Sequence, residues 1–387
     1  MTAVVQFARS KSGQRAIIAT VAVLAILYPF AFDPLATPMN TAIYVVAYVM
    51  MALGLNIVVG FAGLLDIGYV AFYALGAYAV GWLASDHFTG VGGETGIHVL
   101  VSDLIASSPG IHLNFFLVLV IAMIIAAVLG AVIGLPTLRL RGDYIAIVTL
   151  AFGEIIGRIA LNGDEISLGG GHTLTAGQQA IAPVDQPFLP GVNYEFDSAF
   201  NLRPYYWLGL VLLTFTLFVN FRLRDSRLGR AWIALREDEV AAASMGVPLV
   251  RTKLLAYAAG AALGGIAGAF LGSYTTAISS NQFEFSFSIF VLAMVILGGL
   301  GSIWGVVAGA ALLATIDRYI IPEVLDDLPS KFGLDFRLTQ LSFGIFGFLL
   351  VLIMVLRPEG LFPERRRKIE LTEGAGAADD SLYEARS

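Results

Sequence analysis

Long apolar runs separated by short polar segments dominate this chain from residue 16 to residue 356. An apolar helix needs about 20 residues to cross the roughly 30 Å of hydrocarbon in a bilayer. Helix is the expected conformation of each run, because an isolated span must satisfy its backbone hydrogen bonds within itself. The pattern therefore predicts an all-α polytopic membrane protein with about ten transmembrane helices, at 16–32, 41–61, 64–85, 113–136, 143–161, 205–221, 251–275, 285–300, 304–321 and 338–356.

The predicted turns at 61–63 and 301–303 are short and uncharged. Each is compatible with a simple hairpin, and each is also compatible with a re-entrant or broken helix. The sequence therefore leaves two architectures open for 41–85 and for 285–321.

The composition supports a membrane protein and narrows its chemistry. Hydrophobic residues make up 57% of the 387 residues and charged residues 13%, whereas a soluble domain usually carries about 25% charged residues. The absence of cysteine excludes disulfides, thiolate nucleophiles and cysteine-ligated metals. We expect no metal site, no enzyme activity and no nucleic-acid partner, since no nucleophile–base set is evident and the four histidines are scattered in predicted loops: His87, His98, His112 and His172.

Lysine and arginine are concentrated on one side of the predicted topology. If the amino end lies in the cytoplasm, 18 of the 23 Lys and Arg residues fall in cytoplasmic segments, which is the bias expected of a membrane protein. We therefore expect a multi-pass protein of a bacterial inner (plasma) membrane, surrounded by the lipid bilayer, with both termini in the cytoplasm. Its parts would be a cytoplasmic segment 1–15, a permease domain 16–356 with external loops 86–112 and 162–204 and a cytoplasmic coupling loop 222–250, and a largely disordered tail 357–387.

The segment 230–248 is a charged, alanine-rich stretch with the length of one short helix, ended by Gly246 and Pro248. Spacings of three and four place several of its residues near one helix face: Trp232, Leu235, Glu239 and Ala242. One interpretation is an amphipathic helix that rests on the lipid surface. The other is a coupling helix that sits in a cleft of a separate ATPase.

The chain has no motif for its own energy source. A phosphate-binding loop needs a Gly-Lys-Ser or Gly-Lys-Thr sequence, but none of the four lysines follows a glycine: they are Lys11, Lys253, Lys331 and Lys368. If the protein is a pump, ATP and Mg²⁺ must therefore be bound by another polypeptide, and we expect no cofactor in this chain.

Few polar groups are expected at membrane depth. Glu154 and Arg158 lie four residues apart, a spacing that predicts an ion pair. Asn56 lies inside the span 41–61, where it can bond a neighbouring helix or a substrate, and the sequence favours neither. Gly264 and Gly268 have the spacing of close helix packing. An ion-coupled secondary transporter is less favoured, because no series of intramembrane carboxylates or histidines is evident.

Several strings in this order resemble the permeases of branched-chain amino acid ABC importers, in particular the LivM type of the LivH/LivM family. The resemblance covers most of the chain. It is carried by GLNIVVGFAGLLDIGYVAFYALGAY at 54–78, LRLRGDY at 138–144, FGEII at 152–156, LGRAWIALREDE at 228–239, AMVILGGLGS at 293–302 and RPEGLF at 357–362.

The resemblance implies a transport subunit of an ABC importer for branched-chain or other hydrophobic amino acids. It implies as partners a LivH-like second permease, two ABC ATPase subunits on the cytoplasmic face, and a periplasmic or extracellular amino-acid-binding protein. Sister systems that carry urea, short amides or another small polar solute remain an alternative.

The resemblance also implies site residues. The cytoplasmic family motif maps onto Ala241, Ala242 and Gly246, but Val240 replaces the usual Glu, which leaves open which carboxylate contacts the ATPase. The predicted ATPase-coupling residues are Arg230, Arg236, Glu237, Asp238, Glu239, Ala241, Ala242 and Gly246. The predicted translocation-pathway residues are Asn56, Gly60, Gly63, Tyr73, Glu154, Gly298 and Gly299.

Overall fold

Helices form the long apolar parts of the chain in the computed structural model. The structure describes residues 11–91, 96–102, 105, 107–137, 143–191, 194–326, 338–356 and 360–361. Residues 1–10 and almost all of the predicted tail lie outside this part, so the expectations for them stay predictions. The helices are α1 (Lys11–Ala31), α2 (Thr37–Leu55), α3 (Val70–Leu83), α4 (Phe115–Thr137), α5 (Asp143–Asn162), α6 (Arg203–Asp225), α7 (Arg227–Glu237), α8 (Glu239–Ser244), α9 (Leu249–Thr275), α10 (Phe285–Gly298), α11 (Ile303–Thr315) and α12 (Ser342–Leu356).

Within the described residues, six helical segments are long and apolar enough to cross a membrane: Thr37–Phe61, Phe115–Thr137, Tyr144–Asn162, Arg203–Asp225, Leu249–Thr275 and Ile303–Leu325. The helices α3 and α10 have only 14 residues each. At a rise of 1.5 Å per residue each covers about 21 Å, which is less than the hydrocarbon thickness. The protein is thus polytopic, but the expectation that 64–85 and 285–300 are complete helical spans is wrong.

The connection between α2 and α3 is an irregular segment rather than the tight turn of a simple hairpin. α2 continues as a π-helical turn, Asn56–Phe61, and the next eight residues leave the helical conformation. Gly63 has a φ of +69°, a conformation that glycine adopts without the strain of a side chain. Asp66 is buried, and its Oδ1 accepts a hydrogen bond of 2.9 Å from the backbone N–H of Gly68. Such irregular backbone is tolerated at membrane depth because protein surrounds it.

A second break separates α10 from α11. Gly299 and Gly301 have φ values of +110° and +85°. Ser302 then begins α11, because its hydroxyl accepts a hydrogen bond of 3.1 Å from the N–H of Gly305. α11 passes into another π-helical segment, Ile316–Leu325. The sequence left open a simple hairpin or an interrupted helix for 285–321, and the structure shows the interrupted form.

Helix α9 lies at the centre and packs against α2, α3 and α4. A Cβ atom on Gly268 would lie 2.9 Å from the backbone nitrogen of Ala77 in α3. A Cβ atom on Gly265 would lie 2.9 Å from the carbonyl oxygen of Ala122 in α4. The hydroxyl of Tyr69 donates to the Gly260 carbonyl at 2.8 Å. The glycines of α9 therefore allow close approach of three neighbouring helices.

The predicted external loops contain short β-strands, so the description all-α holds only for the membrane part. β1 (Ala84–Ser85), β2 (Ile97–Val99) and β3 (Ile111–Leu113) form a sheet in the order β1-β3-β2, in which β3 is antiparallel to β1 and parallel to β2. Two antiparallel pairs follow, β4 (Ser167–Gly169) with β5 (His172–Thr173) and β6 (Phe188–Leu189) with β7 (Tyr194–Glu195).

The two strand-bearing segments form one unit, here called the cap. The Nδ1 atom of buried His112 lies 2.7 Å from Asp185 Oδ2, and its Nε2 atom lies 3.1 Å from Asp86 Oδ1. Ile181 pairs with Ile278, beyond the end of α9. The cap therefore lies at the end of the bundle opposite to α7 and α8, because Ile278 follows the last turn of α9 whereas Trp232 of α7 bonds Thr252 in its first turn.

We predict that Gly268→Ala lowers the free energy of unfolding by about 1–3 kcal/mol, since its new methyl group collides with the α3 backbone. Gly344→Ala in α12 is the matched control, because a Cβ atom there meets open space. We expect it to be neutral or to stabilise the helix by up to about 1 kcal/mol. Thermal unfolding of both variants in detergent measures the difference, and equal midpoints would contradict the packing described for α9.

Candidate functional site

The segment 227–248 forms a hairpin of two helices, α7 and α8, here called the α7–α8 hairpin. The sequence predicted a single short helix, and this prediction is wrong. Asp238 adopts an extended conformation that ends α7, with φ −155° and ψ 111°. Its carboxylate then caps α8, since Oδ1 accepts hydrogen bonds from the N–H groups of Val240 at 2.8 Å and Ala241 at 3.0 Å.

One face of the hairpin is buried against the start of α9. The indole N–H of the fully buried Trp232 donates to the carbonyl of Thr252 at 2.8 Å. The ammonium of Lys253, which is also buried, lies 2.7 Å from Glu239 Oε1. Ala242 is buried as well. The helix face predicted from the spacing of Trp232, Leu235, Glu239 and Ala242 is thus the face that packs on the rest of the protein.

The opposite face is exposed and apolar at its tip. Val240 is 67% exposed and Met245 is 85% exposed. Gly246 ends the hairpin with a φ of +84° and has open space where a side chain would be. Three more of the predicted ATPase-coupling residues are exposed beside them, Glu237, Asp238 and Ala241. Their contact with an ATPase stays a prediction.

Basic residues attach the hairpin to the membrane part. Arg230 donates to the Asp225 carbonyl at 3.0 Å and is exposed. Arg236 points inward, where its Nη1 atom donates to the Gly60 carbonyl at 2.6 Å. Its aliphatic part also fills the space in which a side chain on Gly63 would lie. Arg236 therefore connects the hairpin to the π-helical turn that ends α2.

Asn56 connects this turn to the second break. It is fully buried, and its Oδ1 atom accepts a hydrogen bond of 2.9 Å from the N–H of Gly301. The sequence left open whether Asn56 bonds a neighbouring helix or a substrate, and the structure shows a bond to the neighbouring segment between α10 and α11. Among the described residues, the Nδ2 atom of Asn56 has no hydrogen-bond partner.

Gly298 and Gly299 lie at the same end of the bundle and allow close packing. A Cβ atom on Gly298 would lie 2.7 Å from the Cα atom of Val306 in α11. Leu361, in the segment after α12, donates its N–H to the Leu297 carbonyl at 2.8 Å. The structure thus gathers five of the predicted pathway residues beside the hairpin, and their role in translocation stays a prediction: Asn56, Gly60, Gly63, Gly298 and Gly299.

Glu154 lies elsewhere, on the exposed side of α5 toward the cap. The predicted ion pair with Arg158 is absent from the ion pairs of the described residues. Both side chains are exposed and line a cavity of about 380 Å³ together with Asn281 and Glu284. The i,i+4 spacing did not enforce a pair because an exposed ion pair stabilises a helix only weakly.

Tyr73 lies in a second cavity, of about 330 Å³, beside the first. Arg318 forms one wall, with its guanidinium carbon 4.2 Å from the centre of the Tyr44 ring and hydrogen bonds from Nε and Nη2 to the Tyr48 hydroxyl. Sequence reasoning missed Arg318. The available signal was an arginine inside the apolar run 304–321, because a charge at membrane depth is costly and usually functional.

Comparison with known proteins gives a consistent result. A family model described as branched-chain amino acid transport system / permease component matches residues 37–354. The high-affinity branched-chain amino acid transport system permease protein LivM of Escherichia coli (strain K12) is 35% identical over 386 residues, which cover 95% of this chain and 79% of that protein. No solved structure matches the chain.

Two further relatives extend the similarity. The probable branched-chain amino acid transport permease protein LivM of Methanocaldococcus jannaschii is 29% identical over 337 residues, which cover 82% of this chain and 91% of that protein. The permease protein LivH of Escherichia coli (strain K12) is 26% identical over 218 residues, which cover 54% of this chain and 64% of that protein.

We predict that Glu239→Gln lowers the free energy of unfolding by about 1–3 kcal/mol, because it leaves the Lys253 ammonium buried without its carboxylate. The double variant Glu239→Gln/Lys253→Met should recover most of this loss. Unfolding of the two single variants and the double variant gives the coupling energy. Strictly additive losses would show that the two side chains do not interact.

Proposed function

This chain belongs to the family of permease components of branched-chain amino acid transport systems, and we propose that it is the LivM-type membrane subunit of an ABC importer. Its substrates are branched-chain or other hydrophobic amino acids. The chain itself is a transport subunit rather than an enzyme, and ATP with Mg²⁺ is bound by partner ATPases.

The exposed apolar tip of the α7–α8 hairpin carries the proposal. No lysine of this chain follows a glycine, so a phosphate-binding loop that would bind ATP has to lie in another protein if transport is driven by ATP. Val240, Met245 and Gly246 form a small protruding surface that fits a cleft. The buried Trp232 and Lys253 fix this surface to α9, so a push on the tip is transmitted to the membrane helices.

The partners follow from the relatives. The similarity to both LivM and LivH proteins indicates a pair of permeases within an ABC transport system. We place two ATPase subunits against the hairpins of this pair and an amino-acid-binding protein on the cap. The chain is a multi-pass membrane protein, and the hairpin faces the cytoplasm of a bacterial cell, where the Lys and Arg residues are concentrated.

Two connections lead from the hairpin into the membrane part. One is the anchoring of Trp232 and Glu239 to the first turn of α9. The other runs from Arg236 to the Gly60 carbonyl and, through Asn56, to Gly301. Closure of the ATPases would move the irregular segment after Phe61 and the one between α10 and α11 together. π-Helical turns such as Asn56–Phe61 occur often at functional sites.

Reconstitution of the permease pair with its ATPases and binding protein in proteoliposomes tests this function. We expect uptake of labelled leucine that requires ATP and all components. Equal uptake by the purified permease alone, driven by an ion gradient, would favour a secondary transporter. ATP-driven uptake of urea without uptake of leucine would favour a sister system.

We predict that Met245→Glu reduces binding of the ATPases by about tenfold or more, because it places a charge at the exposed apolar tip of the hairpin. Met245→Leu is the matched control and should bind as the wild type does. Co-purification with the ATPases measures the effect, while membrane insertion should be equal in both variants. Normal co-purification of Met245→Glu would exclude the hairpin tip as the docking surface.

A further inference from the structure

The cavity of about 330 Å³ beside α10 has aromatic walls, and we call it the tyrosine–arginine cavity. Its walls include Tyr44 and Tyr48 of α2, Tyr73 of α3 and Phe287 of α10. The rings of Tyr73 and Phe287 are 5.5 Å apart, and those of Tyr48 and Phe287 are 5.3 Å apart. These walls suit an apolar group, because aromatic rings present large and rigid apolar surfaces.

Two opposite charges line the same cavity. The side chain of Arg318 is 41% accessible, although its guanidinium contacts the Tyr44 and Tyr48 rings. Among the described residues, its Nη1 atom has no acceptor, since Nε and Nη2 serve the Tyr48 hydroxyl and Asp317. Glu284 is exposed and joins none of the ion pairs of the described residues. Arg318, which within the described part of the chain is paired only with its sequence neighbour Asp317 and keeps a free donor at Nη1, thus shares one aromatic-walled space with Glu284.

We propose that the tyrosine–arginine cavity is a substrate-binding site for a zwitterionic amino acid within this single permease. The α-carboxylate is bound by the Arg318 guanidinium, which is suited to carboxylates because its donors form a planar fork. The α-ammonium is bound by Glu284, and the side chain contacts Tyr73 and Phe287. This assignment rests on the proposed function, because it takes an amino acid as the transported solute.

The neighbouring cavity on α5 supplies an approach to this site. Asn281, Glu284 and Ser286 line both cavities. Asn281 and Glu284 belong to the segment that leads to α10, and Ser286 lies in the first turn of α10. This segment follows Ile278, which pairs with Ile181 of the cap. An amino acid released at the cap would pass Glu154 and Arg158 in the first cavity and reach Arg318 in the second.

The test uses the complete transporter in proteoliposomes, with labelled leucine as the probe and saturating leucine-loaded binding protein. Arg318→Gln should lower the rate of leucine uptake by about tenfold or more, the loss expected when a charged hydrogen-bond partner is removed. Arg203→Gln is the matched control, because Arg203 lies at the same end of the bundle, bonds the Phe32 carbonyl at 3.2 Å and lines neither cavity. Equal uptake by the two variants would overturn the proposal.

A second variant decides the case if Arg318→Gln does not assemble with its partners. Phe287→Trp narrows the cavity, so the leucine-to-valine uptake ratio should fall by about tenfold, as for one methylene group in an apolar pocket. An unchanged ratio in the assembled transporter would overturn the proposal. If the wild-type transporter carries no branched-chain amino acid at all, the proposed function fails instead, and the two failures remain distinguishable.

Discussion

The need to satisfy backbone polar groups away from water is the constraint on which this structure depends. Two connections between helices are irregular, after Phe61 and between α10 and α11, and each leaves backbone groups without helical partners. The Gly60 carbonyl accepts a hydrogen bond from the guanidinium of Arg236, and the Gly301 N–H donates one to the carboxamide oxygen of Asn56. The interruptions are stable because long polar side chains supply these partners. The same side chains connect the membrane part to the hairpin outside it.

Close packing around α9 complements these interruptions. Glycines on three sides of α9 let α2, α3 and α4 approach its backbone. Large aromatic side chains are then concentrated elsewhere, around the start of α10, where Tyr73 and Phe287 enclose space instead of filling it. The bundle is therefore dense near its axis and open toward the cap. A cavity at one end of a closely packed bundle suits the proposed role, because a solute can enter the cavity while the helices around α9 keep their packing.

Hydropathy alone predicted the positions of the long helices, because burial in lipid requires uninterrupted apolar runs; the predicted span 251–275 and the helix Leu249–Thr275 differ by only two residues. It could not predict the end of α7 at Asp238, since the capping role of an aspartate competes locally with helix continuation. The i,i+4 spacing could not predict that Glu154 and Arg158 form no ion pair among the described residues, because both side chains are exposed and such a pair is weak. Tyr73 was predicted as a pathway residue, and this role stays a prediction. Arg318 lines the same cavity but is 245 residues away, so the sequence could not bring the two together.

Helix α9 touches both extremities of the molecule. Its first turn is held by Trp232 of the hairpin, and the residue after its last turn, Thr276, accepts a backbone hydrogen bond of 3.0 Å from Val184 of the cap. Its 27 residues correspond to a stiff rod of about 40 Å. A rod transmits displacement in both directions, and coupling between two binding equilibria is reciprocal. If a partner at the outer surface changes the affinity for a partner at the inner surface, the inner partner must therefore change the outer affinity by the same factor.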